Sequence, residues 1–269
     1  MILINGDAQA QLAPNDRGLS YGDGVFRTML MYAGKIKNWS LHYEKLANDC
    51  TQLTLNCPDK SLFENDINKL SEHQNGVIKL MVTRGVGARG YAPVAAIPVT
   101  RISMWAALPL HPESACEAGI RARWCQLRLG RQPLLAGIKH LNRLENVLAR
   151  AEWQDADILE GLLLDEAGNV IGGTMSNIFI IKGRQIYTPD LTMCGIAGVT
   201  RDRILAGMGS VGLTAKITQL SIADVLAADE VMVVNSVIGV WQIRELAEKR
   251  WGAGHFVPLI RAYLKEDYD

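Results

Sequence analysis

Two closely spaced prolines, in Leu108-Pro-Leu-His-Pro-Glu-Ser-Ala-Cys-Glu117, constrain this 269-residue chain more than any other feature. Proline lacks a backbone N–H and restricts the residue before it, so neither a helix nor a strand period runs through this stretch. On either side, short apolar runs alternate with glycine turns and helical patterns. The chain therefore reads as two mixed α/β halves: an N-terminal domain over 1–107, a linker over 108–118 and a C-terminal domain over 119–269. With 48% hydrophobic residues there is enough apolar material for real cores.

Charge narrows the function. Lys+Arg and Asp+Glu both number 28, and no basic stripe or acidic tail breaks the balance. Nucleic acid is not expected as a partner, and a small-molecule site is the better default. Cys50, Cys57, Cys116, Cys125 and Cys194 are odd in number and lack metal-type pairing, so they read as reduced thiols in a cytoplasmic protein. The five histidines show no ligand spacing, and no metal is expected. Met1-Ile-Leu-Ile-Asn-Gly6 lacks the basic region and long apolar core of a secretory leader. No apolar run is long enough to span a bilayer.

In the first half, Ile2–Ile4 reads as a strand turning at Asn5-Gly6, a strong hairpin signal. Val25–Tyr32 and Ile36–Trp39 flank Ala33-Gly34 as a second hairpin. Ser40 is placed to cap a helix with Leu41, Leu46, Leu53 and Leu55 on its apolar side. A polar helix covers Ser61–Glu72, and Val77–Thr83 and Ile102–Ala107 are strands. In the second half the strands are Ile120–Cys125, Leu162–Leu164, Ile178–Ile181, Ile186–Thr188 and Val231–Val234. Ser221 and Asp224 have the spacing of a capping box. After Lys139, Leu141, Leu144, Val147, Leu148 and Ala151 recur at helical spacing, which predicts an amphipathic helix.

Three segments carry chemistry. Leu135-Ala-Gly-Ile-Lys139-His-Leu-Asn-Arg-Leu-Glu145 sets one lysine between a glycine turn and that helix. A lysine held partly out of water has a lowered pKa and becomes a nucleophile able to form Schiff bases, although most lysines simply solvate a surface. His140 is expected to pack, because adjacent side chains on a helix diverge. Gly195-Ile-Ala-Gly-Val-Thr-Arg-Asp202 places glycines before a helix whose first N–H groups suit a phosphate, and an ordinary helix start fits as well. Arg84-Gly-Val-Gly-Ala-Arg-Gly-Tyr91 puts two arginines and a tyrosine on one loop, which can clamp a diacid or simply stay solvated.

Taken in order, Asp16-Arg-Gly-Leu-Ser-Tyr-Gly-Asp-Gly-Val-Phe26, the Lys139 segment, Thr174-Met-Ser-Asn-Ile-Phe179 and Gly195–Arg201 resemble the class IV aminotransferases, pyridoxal 5′-phosphate enzymes of fold type IV. The resemblance spans nearly the whole chain. It implies a two-domain α/β fold, a homodimer, and a cofactor between the domains. Lys139 then matches the Schiff-base lysine and acid/base. Val199 and Thr200 match the amides that hold the cofactor phosphate, with Ser236 nearby and Lys45 where related enzymes usually carry arginine. Gly172 falls where the family normally places a glutamate on the pyridine nitrogen, and an uncharged residue there weakens the electron sink. Arg84, Arg89 and Tyr91 are candidates for substrate carboxylates, with Tyr21 and Asn142 lining the pocket. Gly-Ile-Lys139-His-Leu-Asn-Arg-Leu-Glu145 and Thr83–Tyr91 point to a lyase branch of the family. A branched-chain or D-amino-acid transaminase and a non-catalytic member with a degraded site are the alternatives.

Overall fold

The computed structural model describes residues 1–93, 97–112 and 114–265, and the chain divides into two compact units. The first comprises Met1–Pro109 with Ile138–Asn142, and the second Leu110–Gly137 with the chain from Arg143 onward. The boundary falls at Pro109, within the expected linker, of which Glu113 lies outside the described residues. The lysine segment was expected with the second half, but it clusters with the first.

The first unit runs β1 (Ile2–Ile4), α1 (Arg17–Tyr21), β2 (Gly24–Tyr32), β3 (Lys35–Ile36), α2 (Trp39–Gln52), α3 (Lys60–Leu70), β4 (Gly76–Thr83) and β5 (Thr100–Ala106). Its strands form one antiparallel sheet in the order β1-β5-β4-β2-β3. Along β2, buried and half-buried residues alternate, as a strand with one core face requires. Met29, Met31, Ile78 and Leu80 from that face meet Leu46 and Cys50 of α2 and Phe63, Ile67 and Leu70 of α3. Each fully buried side chain of this size contributes about 1.5–3 kcal/mol. In α2 the buried positions are His42, Leu46, Asp49 and Cys50, one helical stripe that carries an acid into the core.

Two local expectations change. Asn5 and Gly6 do take left-handed turn geometry, but the returning strand shrinks to an Ile4–Asp7 bridge. β1 pairs instead with β5, Ile2 opposite Met104. Helix α2 starts before Ser40, with left-handed Asn38 at its N-cap and Trp39 as its first residue. Trp39 packs on Phe63, and burial of that indole outweighs the polar cap.

The second unit contains α4 (Ser114–Glu117), β6 (Ile120–Leu129), α5 (Leu144–Arg150), β7 (Ile158–Asp165), β8 (Val170–Gly173), β9 (Asn177–Lys182), β10 (Gln185–Pro189), α6 (Val199–Gly207), β11 (Thr214–Thr218), α7 (Ile222–Leu226), β12 (Glu230–Asn235), β13 (Gly239–Leu246), β14 (Lys249–Arg250) and α8 (Phe256–Lys265). A mixed sheet orders its strands β11-β10-β9-β12-β13-β6-β7-β8, with β14 on β13. Ile178, Ile180, Val231 and Val233 face one core with Val225 of α7. Phe179, Ile181, Met232 and Val234 face another with Ile204 of α6 and Val257 and Ile260 of α8. Burial on both faces explains why Val231–Val234 is continuously apolar rather than alternating. The Ser221–Asp224 capping box opens α7.

The predicted helix after Lys139 is shorter than its apolar pattern. It begins only at Leu144, so Lys139 lies outside it. Leu144, Val147 and Leu148 are exposed, as is Leu134. The apolar stripe of α5 therefore does not cover this chain's own core.

Candidate functional site

In the first unit, Lys139 is held by its backbone alongside β2. Phe26 N–H donates to the Lys139 carbonyl at 2.9 Å, Leu141 N–H donates to the Gly24 carbonyl at 2.9 Å, and Val25 bridges His140. The Lys139 N–H in turn donates to Asp49 Oδ2 at 3.1 Å. The segment therefore lies against β2 through an isolated bridge, with Lys139 itself outside any strand or helix. Its Nζ sits 4.5 Å from the centre of the Phe26 ring, so an aromatic face lies against the amine. His140 is buried, as a packing residue should be.

The turn after α1 adjoins this segment. Gly22 is left-handed (φ 66°), and a Cβ there would lie 2.3 Å from Asn142 Oδ1. Asn142 Nδ2 donates to the Gly22 carbonyl at 3.3 Å. Below the turn, fully buried Asp16 caps α1 through Gly18 N–H at 2.8 Å and accepts from Thr83 Oγ1 at 2.9 Å and Thr100 Oγ1 at 2.7 Å.

The 84–91 loop is strapped to the same turn. Arg17 Nε donates to Asp23 at 2.9 Å, and its two terminal nitrogens donate to the carbonyls of Gly90 and Tyr91. Gly90 N–H donates to Tyr21 Oη at 3.1 Å, and the Tyr21 and Tyr91 rings lie 5.4 Å apart. Arg84, expected at the substrate, instead donates to Asp23, Thr54 and Leu53. All three of its nitrogens are engaged at the base of the loop, so it anchors the loop rather than clamping a ligand. Arg89 and Tyr91 stay exposed. Burial alone would raise Asp23, but hydrogen bonds and charge from Arg84 and Arg17 hold it below the usual carboxylate value.

Lys45 lies half-buried on α2, where its carbonyl accepts from Arg27 at 3.3 Å. Sequence reasoning overlooked Arg17, Arg27 and Asp49. Arg17 and Arg27 are charged residues at positions where the local pattern is apolar or turn-forming, and that was the available signal.

In the second unit, α6 opens at Gly198 with no side-chain cap. Thr200 Oγ1 lies 3.3 Å from Ser236 Oγ. Asn177 secures the preceding turn, donating to the Ile196 carbonyl at 2.7 Å and accepting from Gly198 N–H at 3.1 Å. A Cβ on Gly198 would come within 2.5 Å of that Asn177 oxygen. An uncapped helix start beside two hydroxyls suits a phosphate, so Val199, Thr200 and Ser236 fit the group expected there. Asn177 is the residue the sequence reading quoted within a motif without assigning a role.

Gly172 lies buried on β8 opposite Leu163. A Cβ there would meet the Ser176 carbonyl at 2.9 Å, closer than a side chain tolerates without backbone movement. Glu160, fully buried on β7, accepts from Thr174 N–H and Oγ1, Ser176 Oγ and Gly161 N–H. Burial pushes its carboxyl above the usual range, against the pull of those four donors. A Cβ on Gly173 would strike this carboxylate at 2.5 Å, so the glycine pair leaves room for the Glu160 network. Among the described residues no His, Cys, Asp or Glu cluster could hold a metal ion, and no helix is long and apolar enough to cross a membrane.

The chain belongs to the class IV aminotransferases, whose family model matches residues 24–246. Within that class, similarity extends to particular enzymes. An aminodeoxychorismate lyase of Vibrio harveyi is 36% identical over 242 residues, 89% of each chain. The crystal structure of 4-amino-4-deoxychorismate lyase from Pseudomonas aeruginosa superposes with a TM-score of 0.95 at 39% identity, covering 99% of both chains. A hypothetical aminotransferase from Mycobacterium tuberculosis, solved with α-ketoglutarate and pyridoxamine 5′-phosphate bound, shares the fold at a TM-score of 0.85 and 18% identity, covering 98% of this chain and 97% of that one.

Proposed function

We propose that this protein is a pyridoxal 5′-phosphate-dependent lyase that converts 4-amino-4-deoxychorismate to 4-aminobenzoate and pyruvate, a step towards folate. The observation that carries this reading is the near-complete superposition on the Pseudomonas aeruginosa lyase, at an identity well above that to the aminotransferase.

Lys139 would hold the cofactor covalently through Nζ, and the amides of Val199 and Thr200 with the hydroxyls of Thr200 and Ser236 would take its phosphate. Lys45 adds a positive charge without arginine's bidentate fork. When bound, pyridoxal 5′-phosphate withdraws electrons from the carbon that carries the substrate amine. With substrate bound, Lys139 Nζ would accept the ring proton from that carbon. The enolpyruvyl oxygen would then leave from the adjacent carbon with the bonding electron pair, and the released enolate would become pyruvate by taking one proton at its methylene carbon. The ring becomes aromatic in this step, so much of the driving force lies in the substrate. Gly172 is compatible with that economy, since a weaker electron sink suffices. Arg89 and Tyr91 present donors for the substrate carboxylates, while Tyr21 and Asn142 shape the turn beside Lys139.

The protein acts as a homodimer in the cytoplasm. Supporting the first, Leu134, Leu144, Val147 and Leu148 are 82%, 75%, 59% and 60% exposed, an apolar surface that a second copy would cover. Supporting the second, all five cysteines are free thiols.

Parallel assays of pyruvate release from aminodeoxychorismate and amino transfer to 2-oxoglutarate test the activity. Pyruvate release should dominate, and efficient transfer without it would replace the lyase by a transaminase. Borohydride reduction followed by mass mapping should place the cofactor on Lys139.

A further inference from the structure

Arg27 stands inside β2 with its side chain 3% exposed, and the carboxylate of Asp49 that it meets is 2% exposed. The guanidinium donates to Asp49 Oδ2 and, through the same Nη2, to the Lys45 carbonyl at 3.3 Å. Burying both charges is costly, and apolar residues of similar size usually serve stability as well or better. Cohesion between β2 and α2 therefore does not account for the pair. Its geometry supplies a second use. The same oxygen, Asp49 Oδ2, accepts the Lys139 backbone N–H at 3.1 Å, and the residue before Arg27, Phe26, donates its own N–H to the Lys139 carbonyl at 2.9 Å. Both peptide groups of the lysine thus end on Arg27's immediate neighbour or on its ion-pair partner.

Given the reading of Lys139 as the residue that carries the cofactor, we propose that Arg27 and Asp49 form a positioning pair for it: Asp49 fixes the main chain at Lys139 and supplies a negative charge beside it, and Arg27 holds that carboxylate and balances it. Neither side chain touches the reacting atoms, and both act through the lysine. The charged and titratable groups bearing on Asp49 are Arg27 from β2 and Lys45 and Cys50 from α2, and Lys139 reaches it through its backbone N–H. Burial pushes the Asp49 carboxyl upward, while Arg27, the Lys139 amide and Lys45 pull it back towards the ionised form. Removing only the anion takes a negative charge from beside Arg27 and Lys45. Removing both partners restores the balance but loses the ion-pair clamp.

The test is the pH titration of the visible absorption band of the holoenzyme, compared among wild type, Asp49→Asn, Arg27→Lys and Arg27→Met/Asp49→Asn. Asp49→Asn should lower the midpoint by about one pH unit, while Arg27→Lys and the double variant should stay within about 0.3 of wild type. Thermal melting, recorded in parallel, reports the structural contribution separately. An Asp49→Asn midpoint equal to wild type overturns the proposal, as does an equal shift in the single and double variants. If Asp49→Asn does not accumulate as folded protein, the double variant decides: a midpoint shifted by about one unit, with both charges of the pair removed, sinks the pair. A wild type that gains no visible band with pyridoxal 5′-phosphate would overturn the reading of Lys139, and this assignment with it. A band that fails to shift removes this assignment alone.

Discussion

The surroundings of Lys139 in the first unit are organised by charge, whereas those of Thr200 in the second are organised by amides, hydroxyls and glycine. Around the lysine, Arg17, Arg84 and Asp23 strap a loop and Arg27 meets Asp49. Around Thr200, Asn177 pins a turn, Ser236 offers a second hydroxyl and Gly198 leaves a helix uncapped. The contrast fits the two roles proposed for these regions. An amine that must change protonation state is tuned by nearby formal charges, which respond to pH. An anion that must only stay in place is better held by fixed dipoles, which do not titrate over the same range.

The largest break in this comparison is Lys139→Ala. Turnover should fall by about 10⁴-fold and the visible cofactor band should vanish, while thermal stability changes little, because this half-buried side chain contributes mainly chemistry. Next comes Gly198→Ala in the dipole-built region. Its new Cβ, 2.5 Å from Asn177 Oδ1, displaces the amide that pins the turn. Cofactor Kd, measured by equilibrium dialysis, should rise by about 10-fold or more. Thr200→Val keeps the shape and removes one hydroxyl, so Kd should rise by about 5-fold with no new pH dependence. A pH-dependent loss in that variant would break the contrast between the regions.

The smallest effect is expected at Asp23, whose folded-state pKa is depressed by Arg84 and Arg17 against the effect of burial. A depressed carboxylate adds stability that is fully present above its unfolded value, about 3.9, and lost as pH falls through its lower folded value. Hydrogen exchange at Gly90, whose N–H bonds Tyr21, should therefore stay protected from neutral pH down to about 4 and rise below it. Exchange that loosens already near pH 6 would show that the straps do not depend on this carboxylate.

Much of this was legible in the chain. Val231–Val234, the capping box at Ser221 and the glycines before Val199 each produced the element they announced, because the signal is local. The ordered motifs pointed to Lys139 and Thr200, and Asn235-Ser236 beyond a strand to Ser236, as the residues for the proposed cofactor. Misreadings arose where a distant partner decides. Leu144, Val147 and Leu148 have helical spacing, yet they are exposed in the isolated chain, and the main chain at Lys139 bonds to Phe26 of β2, a partner no local pattern names. Arg84 looked like a substrate clamp until Leu53, Thr54 and Asp23 claimed its nitrogens. No spacing rule could link Arg27 to Asp49, 22 residues away, or Asp49 to Lys139, 90 residues away.

The buried carboxylate of Asp16 also bears on how the chain folds. It gathers hydroxyls from Thr83 and Thr100, which lie 67 and 84 residues along the chain, under the turn that carries Tyr21. Contacts of such sequence separation are slow to close. Helix α1, which carries Tyr21, is therefore expected to settle only after β4 and β5 have paired and brought the two threonines together. A chain stalled before that point would have a paired sheet and no anchored start to α1.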